Sequence, residues 1–464
     1  MAKNGVSTNQ SDLPIPAFDP PKKQKRNKYA LACSLLASMA SILLGYDIGV
    51  MSGAIIYIVK DINMTDVERE VVMGIINLIS LIGSTIAGRT SDWIGRRYTI
   101  IIAGSIFFVG AILMGFAANY AFLMVGRFVA GIGVGFAMMI APVYTAEVAP
   151  SSVRGFLTSF PEVFINVGIL LGYVSNVVFS KLPQNLGWRF MLGVGCIPST
   201  FIVVGALVMP ESPRWLVMQG RLGDAKKVLD RTSDSPEESY LRLYDIKEAA
   251  GIPEHCNDDV VMVPKQHHGE GVWRELLCPT PTVRHILMCA FGIHLFQQAS
   301  GIDSSCSDRV IFEKAGIKSD TDKLLATISV GFTKTIFILV ATFFVDKYGR
   351  RPLFLTSLGG MALSLLGLAT GLPLLIVRIE KMVWALTLCI ASVLCFVAFF
   401  SSGMGRLFGF LCSEIFPLKA RAQGVSIGVA LNRVMSGVIG ITFISLYKSI
   451  TIGGAFFCME GLLL

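Results

Sequence analysis

Long uninterrupted apolar runs dominate the chain, in place of the alternation that marks half-buried strands or amphipathic helices. Most run to about 20 residues, the length needed to cross roughly 30 Å of hydrocarbon. They lie near residues 29–57, 69–88, 98–116, 121–144, 156–179 and 188–209. A second set lies near 283–303, 324–345, 352–376, 382–412 and 421–446, with a last run from 450 to 464. The pattern predicts twelve membrane-crossing helices in two groups of six. The last run starts at Ile450, carries Glu460 and stops at Leu464, so an incomplete final helix is expected. Residues 210–282 separate the groups; they are charged and read as short amphipathic helices, with Leu222, Ala225, Val228 and Leu229 on one face.

Composition sharpens this picture. Of 464 residues, 53% are hydrophobic and 16% charged, with a mean hydropathy of +0.64. A soluble domain carries about 25% charged residues. The net charge of +8 would suit nucleic acid, but the basic residues flank the apolar runs instead. They are Lys22, Lys23, Lys25 and Arg26, then Arg96, Arg97, Arg154, Lys347, Arg350, Arg351, Lys419 and Arg421, all in alternate loops. An excess of Lys and Arg marks cytoplasmic loops, which places the N-terminus and the 210–282 segment in the cytoplasm and excludes a nucleic-acid partner. The expected organisation is a disordered basic tail over 1–28, a six-helix bundle over 29–209, a cytoplasmic linker over 210–282 and a second bundle over 283–464. The first 28 residues, with Pro14, Pro16, Pro20 and Pro21, show no cleavable signal. The ten cysteines fall mostly inside apolar runs without ligand spacing, so they read as packing residues, and no metal is expected. Asn63-Met64-Thr65 forms a glycosylation triplet in a predicted outside loop, and its use stays open.

The two groups repeat one plan. After the second run stands GRTSDWIGRR at 88–97, and after the eighth DKYGRR at 346–351. Glu147, Pro150 and Arg154 keep the spacing of Glu414, Pro417 and Arg421. Internal repeats of this kind are typical of secondary transporters. Further stretches are GYDIGVMSG at 45–53, GRFVAGIGVG at 126–135, PVYTAEVAPSSVRG at 142–155, PESPRWL at 210–216, QQASGID at 297–303 and SEIFPLKARAQG at 413–424. With these motifs the chain resembles the sugar-porter branch of the major facilitator superfamily over nearly its whole length. FPEVFIN at 160–166 is most like plant polyol and monosaccharide transporters. The resemblance implies an all-α membrane protein of the major facilitator fold, monomeric, not an enzyme, placed in the plasma membrane rather than the vacuolar one.

Charges inside a span cost about 2.5–3.5 kcal/mol each on insertion scales, so each needs a partner or a task. Asp47 lies deep in the first run and Arg127 in the fourth. Burial favours a neutral carboxyl and a neighbouring guanidinium favours the charged one, a balance able to tip with conformation. The resemblance assigns this pair proton coupling, with the proton as coupling ion and no other cofactor. A static packing pair is the alternative. Polyhydroxylated solutes offer hydroxyls that both donate and accept, and call for amides and carboxylates on facing helices. Glu162, Gln297, Gln298, Asp303 and Asn432 match the solute-binding positions implied by the resemblance. Glu162 stands where many relatives carry glutamine and Asp303 where many carry asparagine. Asp92, Arg96, Glu147, Arg154, Glu211, Arg214, Asp346, Arg350, Glu414 and Arg421 are expected at cytoplasmic helix ends, where opposite charges would close the inner gate. Gly131, Gly133 and Gly135 fit close helix contact; a phosphate loop would need a preceding strand.

The chain departs from the family pattern in its second half. Ser304-Ser305-Cys306-Ser307-Asp308-Arg309 replaces an apolar, aromatic stretch. Arg406 stands at a proline position and Gly409 at that of a tryptophan platform, whose loss would weaken binding by about 1–3 kcal/mol. The leading expectation is proton-coupled symport of a polyol or monosaccharide by alternating access. An uncoupled facilitator is the first rival. A non-transporting sensor or degraded paralogue is the second, and the departures and clipped last run favour it.

Overall fold

The computed structural model describes residues 27–253, 258–261, 281–299, 320–348, 350–377, 383–403, 428 and 430–438. Among these, every regular element is helical. The six runs of the first group become α1 (Lys28–Ile62), α2 (Asp66–Ile94), α3 (Arg96–Gly115), α4 (Tyr120–Val148), α5 (Phe160–Phe179) and α6 (Gln184–Val208). The linker forms α7 (Pro213–Met218), α8 (Leu222–Thr232) and α9 (Pro236–Ala249). The second group supplies α10 (Pro281–Ala299), α11 (Asp320–Tyr348), α12 (Arg350–Val377) and α13 (Val383–Ser402), followed by helical turns over 430–438. The predicted last run and the stretches 304–309 and 405–409 lie outside the described residues.

Local chemistry sets the helix ends. Asn27 caps α1, its side-chain oxygen accepting from Tyr29 and Ala30 backbone N–H groups. Asn63 ends α1 in the left-handed region at φ 54°. Thr65 and Glu68 then open α2 with a capping box, each side chain satisfying the other's backbone N–H.

The burial pattern is that of a bilayer protein. Phe116, Val208 and Leu363 lie on the outer surface at 78%, 78% and 72% exposure, a costly arrangement in water and a neutral one against lipid tails. Polar side chains such as Ser38, Thr145, Asn166 and Asn176 point inward instead. Hydrophobicity does not drive helices together in lipid, so close backbone approach does. The expected role of Gly131, Gly133 and Gly135 holds, because side-chain carbons there would run into α2 and α3. The α1–α5 contact is built the same way, from Gly45 and Gly49 on one helix and Gly168 and Gly172 on the other. A carbon added at Gly168 would sit 2.6 Å from the Ile42 carbonyl oxygen and 2.9 Å from the Tyr46 nitrogen. Gly168→Leu should therefore cost about 3 kcal/mol, the upper end of overpacking penalties, and lower the thermal midpoint in detergent. Gly88→Leu, at a site where an added carbon meets only the Met139 methyl at 3.7 Å, is the matched control and should cost far less.

Two seams join the halves among the described residues. Along one, α11 lies on α5, with Gly331 against Tyr173 and the Thr335 hydroxyl 3.5 Å from the Asn166 carbonyl oxygen. Along the other, residues 430–438 lie on α2, with Gly437 against Leu78. The repeat reappears in the geometry: α11 ends at Tyr348 and α12 opens at Arg350, the spacing at which α2 ends at Ile94 and α3 opens at Arg96.

The linker has a small core of its own, where Leu222, Ala225 and Leu229 pack with Leu216, Val217 and Leu243 as the amphipathic pattern predicts. It docks onto the first bundle by polar contacts. Glu238 accepts from the Ser151 N–H and hydroxyl at 2.9 and 2.7 Å, and Arg242 donates to the carbonyls of Glu147 and Val148. Burial opposes the Glu238 charge, but the Ser151 and Asp234 donors and nearby Arg242 outweigh it and hold its pKa below the usual value. A depressed carboxyl stabilises docking above its unfolded pKa of 4.5 and loses that contribution as pH falls through the lowered value. Hydrogen-exchange protection of α9 should drop over that acid range. Glu238→Gln should show the reduced protection already at neutral pH.

Candidate functional site

Asp47 sits midway along α1 and Arg127 one turn into the buried part of α4, and they meet at the bundle centre with 2% and 1% exposure. Arg127 Nη1 donates to Asp47 Oδ1 at 2.6 Å. Its Nε and Nη2 both donate to the Val72 carbonyl oxygen on α2, at 3.1 and 3.0 Å. The guanidinium, carried by α4, thereby ties α1 to α2. Asp47 Oδ2 is equally buried and has no hydrogen-bond partner among the described residues. One carboxylate oxygen is thus bound to the guanidinium, and the other is a buried acceptor. Removing one member of such a pair is far costlier than removing both.

A second polar group joins the seventh and eleventh runs. Asn432 Nδ2 donates to Gln297 Oε1 at 2.9 Å, and both residues are buried. Glu162 lies on the first turn of α5, partly buried, and its backbone carbonyl accepts from Asn166 Nδ2 at 2.8 Å. Gln298 lies on α10 with its side chain outside the described set, and Asp303 is outside it altogether. Of the five solute-site candidates, then, Gln297 and Asn432 are seen to touch. Two neighbours escaped the reading of the sequence. Arg433 Nη2 donates to Asn432 Oδ1 at 2.7 Å, and its Nη1 lies 3.4 Å from Asn77 Oδ1 on α2. A signal for Arg433 was available, since an arginine inside an apolar run is a functional candidate by cost alone. Asn77 carried none.

The charged motifs converge at the linker end of the first bundle. Arg96 grips Glu147 with two nitrogens, at 3.1 and 3.2 Å, and Asp92 with a third at 3.1 Å. The Ser212 hydroxyl also donates to Glu147. Glu211 accepts from the backbone N–H groups of Arg96 and Arg97, at 2.8 and 3.2 Å, and so caps the first turn of α3 with negative charge. Burial raises its pKa, while the N–H groups of Ser212, Arg97 and Arg96 pull the other way. Gly95 makes this possible: its φ is +108°, and a side-chain carbon there would lie 2.5 Å from Glu211 Oε2. Trp215 completes the staple, its indole N–H donating to the Asp92 carbonyl oxygen at 3.0 Å. Arg154 and Arg214 are exposed at the same end. Asp346 ends α11 and Arg350 opens α12 with side chains outside the described set, and Glu414 and Arg421 lie beyond it.

A sequence model described as "Sugar (and other) transporter" matches residues 33–464. Polyol transporter 5 of Arabidopsis thaliana is 62% identical over 447 residues, covering 96% of this chain and 83% of that relative. A solved structure of the proton:xylose symporter XylE bound to 6-bromo-6-deoxy-D-glucose superposes with a TM-score of 0.79 at 25% identity, covering 95% of each chain. A partially occluded inward-open conformation of the xylose transporter XylE from E. coli gives 0.75 at 26% identity, over 94% of this chain and 96% of that one. Two repeated halves of apolar helices, with an ion pair buried inside the first bundle, define a multi-pass membrane carrier of the major facilitator fold. The chain belongs to the sugar (and other) transporter family, in its sugar-porter branch, and is a transporter rather than an enzyme.

Proposed function

We propose that this protein is a monomeric proton-coupled symporter that takes up a polyol or monosaccharide by alternating access, with its N-terminus and linker in the cytoplasm. The observation that carries the reading is Asp47, with one oxygen on Arg127 and the other buried and unpartnered among the described residues. A carboxylate so placed can take a proton on its free oxygen without breaking the bond on the other. Arg127 holds the carboxyl in place and keeps the site electrostatically ready for the next proton. The names of its relatives, a polyol transporter and a proton:xylose symporter, agree with cargo and coupling ion. Gln297 and Asn432, with Glu162, Gln298 and Asp303, supply the donors and acceptors that hydroxyl-rich cargo requires. Asp92, Arg96 and Glu147 form the first-bundle side of an inner gate, which Arg154, Arg214, Asp346, Arg350, Glu414 and Arg421 complete, with Glu211 bracing it. No cofactor beyond the proton enters this cycle, and the plasma membrane is its place.

The test is expression in cells lacking their own carriers, with labelled sorbitol, mannitol, inositol, xylose and glucose offered in turn and external pH recorded. Uptake accompanied by alkalinisation, and abolished by a protonophore, is the expected result. Uptake without a pH change would make the chain a facilitator. Correct membrane insertion without uptake of any of these solutes would leave the symport reading without support.

A further inference from the structure

We propose that Arg433 is a positioning residue for the solute site: it sets the direction of the Asn432 and Gln297 amides and fastens them to the other bundle through Asn77. The inference rests on reading Gln297 and Asn432 as solute-binding groups. It starts from a cost. Arg433 is buried to 9% exposure in the eleventh run, and no acidic side chain partners it among the described residues. Its Nε has no hydrogen-bond partner among them either. A leucine or methionine would fill the same volume without the penalty of an intramembrane charge.

What the guanidinium supplies is direction. The two ends of a terminal amide are nearly alike in shape, and its neighbours decide which end points where. Arginine has donors only, so the Asn432 oxygen must face Arg433 Nη2, as it does at 2.7 Å. The Asn432 nitrogen is then turned to Gln297, whose oxygen accepts at 2.9 Å. The nitrogen of Gln297 is turned away from Asn432 in consequence. Each bond in the chain donates the same way, and a fixed positive charge stands at its head. Neither amide can flip without breaking a bond of this chain.

The same side chain crosses the seam. Nη1 reaches Asn77 on α2 at 3.4 Å, the longest bond of the three, so it is the one that yields first when the bundles move apart. Amide orientation on the second bundle is thereby tied to the seating of the first against it.

Solute titration of the purified protein by calorimetry, run beside uptake with sorbitol and xylose, tests the assignment. Arg433→Gln should raise Kd and KM about tenfold, the loss expected when a charged donor leaves a buried amide, with Vmax and surface abundance little changed. Arg433→Lys, which keeps the charge without the fork, should recover only part of the affinity. Asn432→Ala should also weaken binding, and adding Arg433→Gln to it should weaken binding no further, because the arginine acts through that amide. Wild-type affinity in Arg433→Gln, or additive losses in the double variant, would overturn the proposal. A disulfide engineered between Leu78→Cys and Gly437→Cys reads the fastening without any solute, and its yield should fall in Arg433→Gln. An unchanged yield would overturn that half. Should the wild type bind polyol yet move it without protons, the symport reading fails while the Arg433 comparisons still decide this one.

Discussion

Asp47→Asn is expected to keep solute exchange and lose accumulation. Asparagine matches the size of aspartate and can still accept from Arg127 Nη1, so the 2.6 Å contact and the α1–α4 packing should survive. What disappears is the ability to gain and lose a proton at the buried oxygen. With a membrane potential of about 100 mV, one co-transported charge supplies about 2.3 kcal/mol, or roughly 40-fold accumulation before any pH gradient is counted. In Asp47→Asn that ratio should fall to one. Counterflow, where labelled solute outside exchanges for unlabelled solute inside, should persist. Accumulation and alkalinisation at wild-type levels in this variant would remove Asp47 from the coupling step.

Arg127→Leu is expected to do wider damage. It leaves the Asp47 carboxylate without its cation and strips the Val72 carbonyl of both its side-chain donors. Breaking a buried pair from one side costs about 3–5 kcal/mol, against a total stability that is itself small. Surface abundance and the thermal midpoint in detergent should both fall. The double variant Asp47→Leu with Arg127→Leu should recover much of the midpoint, because no charge is left stranded, and should still not transport. A double variant as unstable as Arg127→Leu alone would mean that the loss comes from Val72 or from packing, not from the orphaned carboxylate. The two variants thus separate chemistry from architecture: the asparagine removes the proton, and the leucine removes what holds the site together.

How much of this could be read in advance differs from element to element. The first six runs match α1 to α6 with ends displaced by a few residues, and α10 to α13 follow the second set within the described residues. Asp47 and Arg127 stand out in the sequence as charges inside apolar runs at positions the resemblance pairs, and the structure places them 2.6 Å apart. Glu211 shows the opposite case. Its motif marked it as a gate charge, yet it accepts from the backbone N–H groups that open α3. The anchoring of the linker through Ser151, Glu238 and Arg242 had no sequence signal either, because each is an ordinary polar residue outside the apolar runs.

The sequence by itself determined the ten runs that reappear as α1 to α6 and α10 to α13, the landmarks repeated after the second and eighth of them, the amphipathic linker helices, and the cost that marks Asp47 and Arg127. It could do so because a bilayer acts on each segment separately: every backbone group must be satisfied within its own helix, and every side chain is weighed against lipid one at a time. Only the tertiary structure decided that Arg127 leans on Val72 as well as Asp47, that glycines on α1 and α5 face each other, and that Arg433 threads Asn77, Asn432 and Gln297 into one chain. Those outcomes depend on how helices far apart in sequence cross and rotate, and hydropathy is blind to rotation about a helix axis.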